Sequence, residues 1–139
     1  MADNANDYWQ LALDPSVSAS ASIQWDGSDA TCSVDRDGLG TVDLTDGGTN
    51  EGILLRVINS DGVLVDINMR IFSDETNWAE QSVTFDSQVE QGETVDVFML
   101  FDDFVNQEGA MQPNSVGAIE VELDGTVQAG ADMTIKFVK

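Results

Sequence analysis

The stretch VLVDINMRIF, residues 63–72, decides the fold. Val63, Val65, Ile67, Met69 and Ile71 recur at every second position, with Asp66, Asn68 and Arg70 between them. Wound as a helix, this pattern scatters apolar groups around the axis; extended, it gathers them on one side. The reading is a strand with a dry face and a wet one. Ser60-Asp61-Gly62 just before it reads as a hairpin turn, with residues 53–59 as the preceding strand.

The same period continues outward in both directions. Residues 17–25 and 39–45 read as strands, the second ended by Asp46-Gly47-Gly48. Further on, residues 82–86, 94–101, 116–124 and 132–138 alternate. Val95, Val97, Met99 and Phe101 are in phase, then Ile119, Val121 and Leu123, then Met133, Ile135 and Phe137. This is about eight short strands, the spacing of a β-sandwich of Ig-like or jelly-roll type. Near the start, Asp3 could cap a short helix through Leu11, while the alternation of Trp9, Leu11 and Leu13 equally suits an added edge strand. The longest connection, DDFVNQEGAMQPNS at residues 102–115, is of a length that is usually functional or disordered. No repeat, linker or low-complexity tract divides the chain, so residues 1–139 are expected to form one all-β domain.

Charge is the second strong signal. The chain carries 26 Asp and Glu against 5 Lys and Arg, a formal net charge of -21, spread along its whole length. In dilute salt such a surface repels itself. In molar salt the Debye length falls to about 3 Å, which screens the repulsion while hydrated carboxylates keep the protein dissolved. A protein made for brine is expected. The scattered cations cannot form a phosphate-tracking stripe, which argues against nucleic acid, and anionic membrane surfaces would repel the chain. No apolar run approaches the length that spans a bilayer as a helix.

Candidate chemistry is sparse. Histidine is absent, which removes the commonest general base and most zinc and iron ligand sets. With so many carboxylates, a close acidic pair carries no information, and no Gly-rich phosphate loop is present. An enzyme is not expected. Calcium is the one cofactor worth weighing: Asp35 and Asp37, in SVDRDG before Gly38, place oxygens at alternate positions as the first half of an EF-hand does. The twelfth position is Leu44 instead of a bidentate Glu, so the loop is incomplete, and turn residues are the simpler reading. Cys32 is the single cysteine and reads as a small buried hydrophobe. Tyr8, Trp9, Trp25 and Trp78 could stack on sugars, but core or interface anchors are the simpler reading.

The interface candidates follow from phase. If Val95, Val97, Met99 and Phe101 fill the core, then Phe98, Leu100 and Phe104 fall on or near the opposite side, an apolar row on an acidic protein that needs a cover. A neighbouring subunit is the simple cover and an intramolecular loop the rival. Trp9 joins the row as an interface candidate, and unpaired terminal strands offer a second route to another chain.

The segments GILLRVIN (residues 52–59), VLVDINMRIF (63–72) and VEQGETVDVFMLFD (89–102) resemble the Ig-like and jelly-roll sandwiches of haloarchaeal surface and virion proteins, where a Gly-Glu-Thr turn leads into a Val-rich strand. Residues 6–16 resemble the mature start of halophilic surface-filament subunits. The resemblance implies an assembly subunit whose partners are copies of itself and neighbouring virion or filament proteins. The first residues, MADNANDYWQLALDP, lack the features of a signal peptide, and no N-glycosylation sequon occurs. The expectation is therefore an accessory virion protein, a capsid decoration or tail component, made in the host cytoplasm. The alternatives are a secreted filament or surface-layer subunit, and a calcium- or carbohydrate-binding module.

Overall fold

A computed structural model of the chain describes residues 8–28, 31–59, 64–85 and 93–138. The strands are β1 (Tyr8–Ala12), β2 (Ser20–Trp25), β3 (Gly52–Asn59), β4 (Val65–Asp74), β5 (Asn77–Phe85), β6 (Thr94–Leu100), β7 (Val105–Glu108), β8 (Ala118–Asp124) and β9 (Asp132–Val138), with one 3-10 turn at Phe101–Asp103. They form a four-stranded sheet, β1-β9-β3-β6, and a five-stranded sheet, β2-β8-β4-β5-β7. Every pairing is antiparallel. The fold is all-β, a sandwich of these two sheets.

The strand order has a simple origin. The pairs β1–β9, β2–β8, β3–β6 and β4–β5 are successive rungs of one long antiparallel hairpin. Rolling that hairpin on itself lays β3 beside β9 and β4 beside β8. This is the jelly roll, with β7 added at the free edge of β5. Of the two sandwich types expected, the connectivity selects this one.

The hairpin expected at residues 60–62 is corrected by the same connectivity. β3 belongs to the four-stranded sheet and β4 to the five-stranded one, so the chain crosses between layers there. Residues 60–63 lie outside the described residues. A turn signal marks where a chain reverses but not which sheet it re-enters. The turn that does close a hairpin is the one before Asn77, where Asp74 Oδ1 accepts from the Thr76 amide at 2.8 Å and from the Thr76 hydroxyl at 3.1 Å. The expected strand at 39–45 is also corrected: it is a run of turns with one bridge, Val42 to Val116. The strand expected from residue 17 begins at Ser20, and the N-terminal alternative resolves to an edge strand. The long connection 102–115 is ordered by β7 pairing with β5.

The core lies between the layers. Leu55, Val57, Met99, Met133 and Ile135 enter it from one sheet, and Val65, Ile67, Met69, Ile71, Val121 and Leu123 from the other. The alternation in residues 65–71 is the one the sequence shows, and each such side chain contributes roughly 1.5–3 kcal/mol by leaving water.

Candidate assembly interface

Because side chains alternate, each sheet also has an outer face, and the two differ sharply. On the five-stranded sheet, Arg70 sits at the centre of a carboxylate cluster. Its Nε donates to Glu80 at 2.5 Å, one Nη to Glu120, and the other to Glu122 at 3.1 Å. Gln24 Nε2 donates to the second oxygen of Glu120 at 2.6 Å. Burial works against the Arg70 charge, but the hydrogen bonds to Glu120 and Glu80 outweigh it and hold the guanidinium pKa above its ordinary value. At the far end, Asp66 stands opposite Asp124, and Asp66 Oδ1 is buried without a hydrogen-bond partner among the described residues. Asp124 is engaged by Thr126, whose amide donates at 2.9 Å, and the Thr126 hydroxyl holds its pKa below the usual carboxylate range.

The other end of this face is covered by the chain itself. Phe72 points away from the core yet is only 3% exposed. Trp78, its cross-strand neighbour, stacks on it with ring centroids 5.4 Å apart. Arg36 then lies over both, its guanidinium 4.9 Å from the Phe72 ring and 5.5 Å from the Trp78 ring, while Nη1 donates to the Glu75 carbonyl at 2.7 Å. The loop that brings Arg36 there is fastened by the Leu39 amide on the Gly117 carbonyl at 2.8 Å. Gly117 is required at that spot, because a Cβ would collide with the Arg36 carbonyl.

Asp35 and Asp37, the candidate calcium ligands, belong to this covering loop. Asp26, buried at the end of β2, accepts from the Asp35 amide at 3.1 Å, and Asp35 Oδ1 accepts from the Asp37 amide at 3.2 Å. These bonds shape the turn that carries Arg36. Among the described residues no group of three or more Asp, Glu, His or Cys is placed to hold a metal ion. Cys32 is exposed, a correction to its reading as a buried hydrophobe: it lies in the same turn-rich loop, away from the core.

On the four-stranded sheet the outer face carries Leu54, Arg56 and Ile58 from β3, Asp132, Thr134 and Lys136 from β9, and Thr94, Asp96, Phe98 and Leu100 from β6. Phe98 is 50% exposed and sits directly opposite Leu54. Leu100, half-buried, follows on the same side. Arg56 binds Asp96 through two hydrogen bonds, 2.8 and 3.1 Å, which raise its own pKa and lower that of Asp96. Phe98 and Leu100 thus stand where their phase puts them, and Leu54 completes the apolar row. The sequence hid Leu54 inside the continuous run Ile53-Leu54-Leu55, where only the register shows which side chain turns outward.

The two other interface candidates lie off this row, and Phe104 is corrected. Phe104 is 8% exposed and belongs to the core. The 3-10 turn at Phe101–Asp103 ends the two-residue alternation, and in such a turn side chains three apart share a side, so Phe104 follows Phe101 inward. Trp9 is half-buried and packs against the core beside Leu11, on the inner side of β1. Trp25 also packs against the core.

No protein-family model matches the chain, and a search of curated proteins finds no match.

Proposed function

We propose that this chain is a non-enzymatic structural subunit of a halophilic virus particle, joined to its neighbours through the outer face of the four-stranded sheet. The observation that carries this reading is Phe98, half-exposed beside Leu54 and Leu100 on a protein of net charge -21. An apolar row on a surface otherwise crowded with carboxylates costs free energy until something covers it. The jelly roll agrees with the reading, since capsid proteins use it, although lectin domains use it as well. The aromatic side chains weigh against a sugar platform: Trp9 and Trp25 pack on the core, and Trp78 is stacked on Phe72 and capped by Arg36.

The test is to fractionate native particles in multi-molar salt and identify the chain by intact mass. Co-sedimentation with virions is the expected result. Recovery in filaments or the cell envelope would move the assignment to a surface subunit. A chain that stays monomeric and unattached at low and multi-molar salt overturns the reading.

A further inference from the structure

We infer that the occupant of this face is a second copy of the same chain, docked face to face about a two-fold axis; the inference rests on the assembly reading above and names its partner. Charge selects the occupant. On the outer face of the four-stranded sheet, the described strand residues Arg56 and Lys136 balance Asp96 and Asp132, so the face is formally neutral. On the five-stranded sheet, Asp66, Glu80, Glu120, Glu122 and Asp124 face outward with Arg70 as the one cation among the described strand residues. Two copies of a chain with net charge -21 repel at most approaches. The neutral, apolar face is where they can meet without burying carboxylate against carboxylate. A two-fold interface is self-complementary, so each Phe98 meets the partner's version of the same patch.

Size sets the strength. Strand spacing of about 4.8 Å and a rise of about 3.4 Å per residue give four strands of this length a face of roughly 450 Å². That is well short of the ~800 Å² per partner of a standard stable interface. The dimer is therefore weak on its own, suited to an array in which many such contacts act together. High salt strengthens it by shrinking the screening length to about 3 Å or less.

Sedimentation equilibrium of the full chain in 0.2 M and 3 M KCl, up to millimolar protein, tests this. The expected result is a reversible monomer–dimer equilibrium at 3 M salt, weakened at least ~10-fold at 0.2 M. Phe98→Asp, at a half-exposed position, is expected to weaken the dimer at least ~10-fold, because it buries a charge against apolar surface. Lys136→Glu leaves the apolar row intact and tips both faces negative, so it should also weaken the dimer, most at 0.2 M. Ser82→Asp, on the outer side of β5, should change nothing, and circular dichroism checks that each variant keeps its strands. A wild-type chain that is monomeric at millimolar concentration in 3 M KCl overturns the inference. So does a dimer indifferent to Phe98→Asp and Lys136→Glu, or one broken by Ser82→Asp. If the free chain is monomeric yet present in native particles, self-docking fails while the assembly reading stands. If the dimer forms as expected but the chain is absent from every particle, self-docking stands and the assembly reading fails.

Discussion

Phe72 and Phe98 both point away from the core, one on each sheet, and they end in opposite situations. Phe72 is 3% exposed, stacked on Trp78 and roofed by Arg36. Phe98 is 50% exposed, with Leu54 opposite and open surface above it among the described residues. An outward aromatic in a sandwich needs a cover, and here the covering loop between β2 and β3 lies over only one of the two faces. The contrast separates a stability site from a contact site, and both halves can be tested by mutation.

The largest effect is expected at the covered residue. Phe72→Ala should cost about 3–4 kcal/mol in denaturant unfolding at fixed salt, since it removes a buried ring and leaves Trp78 and Arg36 without their platform. Phe98→Ala should cost less than about 1 kcal/mol in the same assay, because the ring is half in water already. Equal costs at the two positions would break the comparison. Next comes Arg70→Met, expected to cost about 2–3 kcal/mol by leaving Glu80, Glu120 and Glu122 facing one another without a cation. Adding Glu120→Gln should restore part of the loss.

A smaller change is expected from Arg36→Ala, about 1 kcal/mol with a red shift in tryptophan fluorescence as Trp78 meets water. Asp66→Asn should stabilise the fold by about 0.5 kcal/mol at low salt, since it removes a like-charge pair with Asp124 directly across the strands. The smallest effects concern acid. Asp43, Asp74 and Asp96 all have pKa values below the ordinary range, held there chiefly by hydrogen bonds from Thr45, the Thr76 amide and Arg56 respectively. A lowered pKa in the folded state gives stability that is full above the unfolded value and lost as pH falls through the folded one. In 3 M salt, where general carboxylate repulsion is screened, the unfolding midpoint should hold from neutrality to about pH 5 and fall below about pH 4. A midpoint that rises on acidification in high salt would contradict these assignments.

What the sequence made legible is what local alternation controls. Residues 65–71 alternate as read, as do β6, β8 and the described part of β9, and Phe98 and Leu100 follow from that phase. What it hid depends on where strands meet. The passage from β3 to β4 reads as a hairpin in the sequence because a turn residue set is silent about sheet membership. Phe72 shares its outward phase with Arg70, and nothing local says that Arg36, thirty-odd residues earlier, returns to cover it. Phe104 defies the phase of β6 because a turn that no alternating pattern announces stops the strand before it. Asp35 and Asp37 are legible as turn formers, but their purpose, to carry Arg36, becomes visible only with the sheet beneath them.

The most direct test of the central claim is hydroxyl-radical footprinting of these two phenylalanines, in the isolated chain at low salt and in the native high-salt particle. The account predicts that Phe72 is protected in both, while Phe98 reacts readily in the free chain and loses most of that reactivity in the particle. If Phe98 is as reactive in the particle as in the free chain, the outer face of the four-stranded sheet is not the contact surface.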